Sequence, residues 1–290
     1  EPRFAKGDLN GVMAAHAHVA DWVRDFEARY GTRPIYYGEL DRDAKKERPL
    51  NLIYLAKEPI FVHIYEPPAD EEGGGVVKVT KGLSTKFGTS RVRSTPIAEE
   101  AIMGAAIGAS LVGKRPIAEI MLMNFTTVSM DQMVNHAAKL RFMSGGQTNV
   151  PITIRTMTGA GGGAGGQHCD MLEAWFAHTA GMKVVVPSTP ADAYGLLLSC
   201  IQDDDPCLFI ENLPTYWTMG EVPERGQAIP LGKANVVKDG SDVTLISYGR
   251  TMMEAQAACQ QLETEGVSVE LVDLRSIVPL DLPTVLESVS

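Results

Sequence analysis

From Ser94 to Glu211 this 290-residue chain alternates short apolar runs with longer segments of helical period, and that alternation restricts its fold more than any other feature. IAEIMLM (117–123), ITIRTM (152–157), KVVVP (183–187) and CLFIE (207–211) are apolar almost throughout, as strands buried on both faces are. Between them, helical patterns run over 94–113, 130–143, 172–178 and 191–202. Strands alternating with helices predict βα units on a mostly parallel sheet, an α/β fold. Upstream, 10–30 reads as a moderately amphipathic helix, 31–50 as a polar linker or surface excursion, PIFVHIY (59–65) as a buried strand and PPADEEGGG (67–75) as a loop. Downstream, 212–235 is aperiodic and predicts a domain boundary. A second alternation follows, with strand 242–249, helix 252–265, strand 267–274 and a helix opening in LPTVLESVS. So few strands make a small sheet, and the second domain is expected to be cut short. There is no internal repeat.

Bulk properties narrow the function. A net charge of −10 offers no basic stripe to nucleic acid, and KGLSTKFGTSRVR (81–93) reads as a solvated face. No apolar run has the length of a membrane span, and EPRFAKGD lacks a signal-peptide pattern. Cys169, Cys200, Cys207 and Cys259 have no metal-ligand spacing; buried free thiols in a reducing compartment are the expectation.

Two segments carry chemistry. In TGAGGGAGG (158–166) a buried strand feeds six glycines, and His168 follows as the chain re-enters a helix. A loop so poor in side chains lets backbone lie against a ligand. His168 then has room to face a cavity and exchange protons near neutrality, although a histidine at a helix start is commonly structural. A phosphate-loop reading fails because the glycines end in Gly-Gln-His rather than Gly-Lys-Ser/Thr. A dinucleotide fingerprint fails because KVVVPSTP supplies no acidic residue. In STPIAEE (94–100), Thr95 and Pro96 read as a helix start, with Glu99 and Glu100 complementing the dipole. A functional reading instead requires a carboxylate held in apolar surroundings, able to share a proton with a basic ligand nitrogen. Asn124 and Phe125 follow the strand at 117–123, where parallel sheets bind ligands; Phe125 could stack on a flat heterocycle or simply fill the core.

STPIAEEAIMGAAIGASLVGKRPIAEIMLMNF, MDQMVNHAAKLRFMSGG, VPITIRTMTGAGGGAGGQHCDMLEAWFAHTAGMKVVVPSTPADAYGLL and DDDPCLFIEN together resemble the beta subunit of the thiamine-diphosphate-dependent 2-oxoacid dehydrogenases. This is the decarboxylating component of pyruvate, branched-chain 2-oxoacid and acetoin dehydrogenase complexes. GGVVKVTKGLSTKFG and GKANVVKDGSDVTLISYGRTMMEA fit as well, so the resemblance runs from about Pro59 to the end. It implies a transketolase-like pyrimidine-binding domain (51–215), a linker (216–235) and an incomplete transketolase C-terminal domain (236–290), after a divergent N-terminal segment (1–50).

The resemblance makes Glu99 the activating glutamate, bonded to the aminopyrimidine ring nitrogen. It makes Phe125 the aromatic packed on the pyrimidine, and His168 the group for proton transfer and reductive acylation of the lipoyl group. Glu66 matches a glutamate near the cofactor, although Tyr65 stands where the family has glycine. Main-chain carbonyls of Ile152, Cys200, Asp203 and Asp205 match a structural potassium site. No Gly-Asp-Gly motif for the diphosphate and its magnesium is present; in the family it lies on an alpha subunit, which implies an α2β2 assembly. The implied activity is decarboxylation of a 2-oxo acid, pyruvate being favoured, with acyl transfer to the lipoyl domain of an acyltransferase core. An acetoin-cleaving enzyme and a non-catalytic scaffold are the alternatives; GEVPE (220–224) is similar to acetoin-type members. The implied location is the bacterial cytoplasm, or the mitochondrial matrix or plastid in a eukaryote.

Overall fold

The computed structural model describes residues 79–88, 90–221 and 223–290, with the backbone of three short strands ahead of them: β1 (Pro34–Tyr36), β2 (Leu52–Tyr54) and β3 (Ile60–Val62). The expected helix at 10–30, the loop at 67–75 and Glu66 lie outside the described residues. Within the stretch expected to be a polar excursion, β1 forms a strand and pairs antiparallel with β2.

The remaining strands are β4 (Val92–Arg93), β5 (Pro116–Leu122), β6 (Thr153–Thr158), β7 (Lys183–Val185), β8 (Cys207–Asn212), β9 (Asn235–Lys238), β10 (Val243–Ser247), β11 (Val269–Asp273) and β12 (Ser276–Val278). Six of them join β3 in one sheet in the order β12-β7-β8-β6-β5-β3-β4, parallel except for β12. The apolar runs that predicted β5–β8 do so because both faces are covered, and successive residues point to opposite sides. Ala118, Ile120, Ile152, Ile154, Val184, Leu208 and Ile210 enter a core shared with Ile102, Met103, Met133 and Phe176. Val185 and Phe209, one residue out of phase, enter a second core with Leu196 and Cys200 of the helix Pro190–Gln202. Burying each such side chain contributes about 1.5–3 kcal/mol. Thr189 caps that helix, accepting from Asp192 N at 3.1 Å, with Pro190 in the first turn.

Two expected elements differ. The helix expected from Ser94 begins at Glu99, and Thr95 does not cap it: Ala98 holds the cap position and makes no side-chain bond. A residue before proline is pushed out of the helical region, so the chain stays irregular through Pro96 and turns only afterwards. The helix expected over 130–143 is broken into a wide π-helical turn, Gln132–Ala137, and a short helix, Leu140–Met143, and a tight turn, Met123–Ser129, precedes it. Thr126, Thr127 and Ser129 bond the carbonyls three residues back, which favours the tighter winding. Among the described residues no helix is long and apolar enough to cross a membrane.

The second sheet, β10-β11-β9, lies under the helix Thr251–Thr264, with Met252, Ala255, Cys259, Val269 and Leu271 as its core. The chain then returns to the first sheet: β12 adds antiparallel to β7, and Val186 N donates to Arg275 O at 2.9 Å. Arg275 holds φ 58° at this crossing, and its Nε lies 2.7 Å from the buried Asp192 Oδ1. Short β9 and β12 escape sequence reading because neither has a pattern of its own.

Gly181 marks a close approach. At φ 98° it faces the Ala138 carbonyl, and a Cβ there would lie 2.0 Å from that oxygen. Gly181→Ala is expected to destabilise the fold by about 1–3 kcal/mol, read as a lowered urea midpoint at unchanged slope.

Candidate active site

Four connections leave the C-terminal ends of parallel strands of the first sheet, where α/β sheets hold ligands. β4 leads to Glu99, β5 to Asn124 and Phe125, β6 to the glycine loop and His168, and β8 to the turn Leu213–Trp217. The Met123–Ser129 turn packs against both the Glu99–Leu111 helix and the Gly166–His168 turn, and so brings the three segments to one place. Phe125 and His168 meet edge to face, ring centres 5.6 Å apart at 86°. Glu99 is half-buried at the first position of its helix, with Glu100 exposed beside it. On the approach to this helix the Thr95 hydroxyl is buried and has no hydrogen-bond partner.

The glycine loop is pinned at its base. Gly159 N donates to His168 O at 2.7 Å, and Thr158 Oγ1 to Asp170 O at 2.9 Å. A Cβ on Gly159 would sit 2.6 Å from the His168 carbonyl, so only glycine allows this closure. Asp170 is tied back to Asn124, whose Nδ2 donates to Oδ2 at 2.5 Å while Oδ1 accepts from Asp170 N at 3.3 Å. Outside this base, residues 161–167 are exposed, and side-chain positions at Gly163, Gly165 and Gly166 open onto free space. Phe125, His168, the half-buried carboxylate and bare backbone fit a flat heterocycle carrying a basic nitrogen. They offer no lysine or arginine row for a diphosphate, and among the described residues no group of His, Cys, Asp or Glu could hold a metal.

The carbonyls expected to hold potassium gather at the opposite end of the sheet, ahead of β6 and β8. Ile152 O accepts from Cys207 N at 2.9 Å and Cys200 O from Asp203 N at 3.3 Å. Asp203 O accepts from Arg115 at 2.6 Å, and Asp205 O from the Cys207 thiol at 3.5 Å. Lys183 Nζ sits 2.6 Å from the Asp203 carboxylate, and Arg141 lies 2.5 Å from Asp205. Each of these carbonyls thus accepts one bond from within the chain and keeps a second lone pair.

Sequence reading missed a charged cluster in the sheet. Glu119, Arg155 and Glu211 sit on adjacent strands, on the face opposite the larger core. Arg155 pairs with Glu119, sets Nε 2.6 Å from Glu211 Oε2, and donates to Tyr216 OH at 3.2 Å; Tyr216 donates to Glu211 at 3.0 Å. Burial opposes the Arg155 charge, but Glu211 and Glu119 outweigh it and hold the guanidinium protonated. Burial raises Glu211 above the usual carboxylate range despite Arg155, and raises the Tyr216 phenol as well. The cluster lines a cavity of about 10 Å³, the size of one water, beside the unpartnered Thr156 hydroxyl. The signal in the sequence was a charge inside each of three apolar runs.

Known proteins bear on this geometry. The model of the transketolase pyrimidine-binding domain matches residues 68–216, and that of the transketolase C-terminal domain residues 232–290. The beta subunit of acetoin:2,6-dichlorophenolindophenol oxidoreductase from Cupriavidus necator is 51% identical over 216 residues, 74% of this chain and 64% of that protein. The pyruvate dehydrogenase E1 component subunit beta from Rhizobium meliloti is 45% identical over 81% of this chain and 50% of its own length. The 2-oxoisovalerate dehydrogenase subunit beta from Bacillus subtilis is 43% identical over 75% of this chain and 67% of its own. The chain thus spans half to two thirds of these relatives. A split-gene transketolase solved as an inactive beta4 tetramer shares the fold at a TM-score of 0.63, with 23% identity, over 78% of this chain and 69% of its own.

The charged cluster generates two predictions. Arg155→Met leaves two carboxylates buried together and is expected to cost about 3–5 kcal/mol in denaturant unfolding. Glu211 has a folded-state pKa above its unfolded value, so the native state binds its proton more tightly. Stability from this group is therefore lost as pH rises from about 4.3 through the folded value, and Glu211→Gln is expected to flatten that part of the stability–pH curve.

Proposed function

The chain belongs to the transketolase-like family of E1 beta subunits, and from that premise we propose that it is the beta subunit of a thiamine-diphosphate-dependent 2-oxoacid dehydrogenase. The observation that carries the reading is the edge-to-face contact of Phe125 with His168 at the C-terminal edge of one parallel sheet, with the helix that Glu99 opens packed on the turn that carries Phe125. When bound, the cofactor supplies the electron sink for decarboxylation. Glu99 holds a proton against the ring nitrogen of its aminopyrimidine, Phe125 packs on that ring, and the glycine loop lets the substrate side approach bare backbone. His168, oriented by Phe125 and by the loop's closed base, gives and takes the proton at the 2-oxo acid and during acyl transfer to a lipoyl domain. Asn124 and Asp170 hold the two connections in register. Glu66 would stand near the cofactor.

The diphosphate and its magnesium require groups from another chain, which we take to be an alpha subunit in an α2β2 assembly. Phe142, Met143, Trp217 and Met219 are 75–94% exposed and give such a partner apolar surface to cover. Potassium is assigned to the carbonyls of Ile152, Cys200, Asp203 and Asp205, as a structural ion. The bacterial sources of the relatives favour a cytoplasmic location. Acetoin is the second substrate reading: identity to the acetoin oxidoreductase subunit, 51%, exceeds the 45% to the pyruvate dehydrogenase subunit.

The chain, co-purified with a cognate alpha subunit, is expected to bind thiamine diphosphate with magnesium in calorimetry and to turn over pyruvate or acetoin with a dye acceptor. Glu99→Gln is expected to lower turnover by about 10²–10⁴-fold. Turnover indifferent to Glu99 would leave a scaffold as the function, and the ratio of kcat/KM for the two substrates decides between them.

A further inference from the structure

One tripeptide of the second domain touches the His168 segment on both flanks. Tyr248, Gly249 and Arg250 form the turn between β10 and the helix Thr251–Thr264. Downstream of His168, Tyr248 OH donates to Oε1 of the buried Glu173 at 2.9 Å, at the first residue of the Glu173–Ala177 helix. Burial, and then the Glu173 charge, push that phenol up to about 12, so it keeps its proton and its bond across the neutral range. Upstream of His168, the Arg250 guanidinium lies flat against Gly161. A Cβ on Gly161 would be 2.6 Å from Cζ and Nε and 3.0 Å from Nη1. Between the two, Gly249 fills the space beside Val186; a Cβ there would be 2.7 Å from Val186 Cγ1.

Arg250 is held from its own side. Glu254, one helical turn on, takes its Nη2 at 2.5 Å. Its Nε is buried and has no hydrogen-bond partner, so the guanidinium serves the loop as a shaped plate more than as a donor. Gly161 has φ 78°, a conformation that the loop keeps only with glycine there. Its neighbour Gly162 donates to Gly159 O at 2.7 Å, and Gly159 N in turn holds the His168 carbonyl. The path from Arg250 to the backbone of His168 is therefore three short contacts long.

We propose that Arg250 is a positioning residue for the active site, setting the glycine loop through Gly161 and thereby the direction of the His168 ring. This rests on the reading of His168 as the proton-transferring group. The second domain then takes part in catalysis without touching substrate, and the turn at 248–250 fixes the loop from above as the Gly159–His168 bond fixes it from below.

The test uses the full chain in complex with its alpha subunit. Hydrogen exchange is followed at amides 160–169 in the wild type, Arg250→Ala, Gly161→Ala and the double variant. Removing the plate is expected to speed exchange of these amides at least tenfold and to leave β6 unchanged. Acyl transfer is expected to fall at least tenfold in kcat, with KM for the 2-oxo acid within about twofold and the acidic limb of the pH profile displaced. Because Gly161→Ala already displaces the guanidinium and strains the φ 78° turn, removing Arg250 as well should make the double variant no worse than Gly161→Ala alone. Loop exchange unchanged in Arg250→Ala, or effects that add in the double variant, would overturn the proposal. A wild-type complex inert toward every 2-oxo acid while the exchange coupling holds would sink the functional reading instead, leaving Arg250 as the setter of the loop.

Discussion

The guanidinium of Arg155 is the point around which the main sheet is organised. It lies in the middle of β6, flanked by Glu119 on β5 and Glu211 on β8, and it ties three adjacent parallel strands side by side. Burying such a trio costs several kcal/mol in lost hydration, which the Coulomb attraction and the Tyr216 bonds offset. What it secures is register. A slip of one residue in any of the three strands would move a charge into the apolar core on the other face and leave its partner bare. The connections to Phe125, His168 and Leu213 leave these same strands, so their relative heights follow from this pairing. The carbonyl cluster at the far end of the sheet, with Arg115 and Lys183 on the acidic corner at 203–205, holds the strand starts in the same way.

Much of this was legible in the sequence, because parallel strands advertise themselves. Ile152, Ile154, Leu208 and Ile210 are apolar since both faces of their strands are covered, and the helix from Pro190 carries its cap and its proline where they act. The glycine loop was legible from composition alone. What escaped depended on contacts distant in sequence. Thr95 looked like a cap, but the proline after it delays the helix to Glu99. The hydroxyls of Thr126 and Ser129 look innocuous in a row and yet wind their segment tightly. Arg250 sits in an ordinary strand-to-helix turn, and only the approach of Gly161, far upstream, gives its side chain a task.

The candidate site is built in layers. Phe125 and His168 meet where β5 and β6 end, and Glu99 opens the helix packed on the Phe125 turn. Asn124, Asp170 and Thr158 hold their connections together, and a further layer from the second domain presses on the loop. Polar atoms without partners concentrate at this junction: Glu173 Oε2, both amide atoms of Asn212 and Arg250 Nε are all buried and unbonded. Ordered water would satisfy several of them, and a seam that holds unmet hydrogen-bonding capacity is easier to adjust than a dry apolar one.

The return of β12 to the first sheet has a consequence for how the chain comes to be folded. An exposed strand edge invites pairing with any passing chain, and β7 would present one were it not covered by Ser276–Val278. The cover is made only after the strands of the second sheet, β9–β11, and it arrives attached to a different domain. The first domain therefore waits, with an open flank, for its neighbour to be synthesised. Opening of the second domain would likewise uncover the β7 edge, so the two domains are coupled through this one strand.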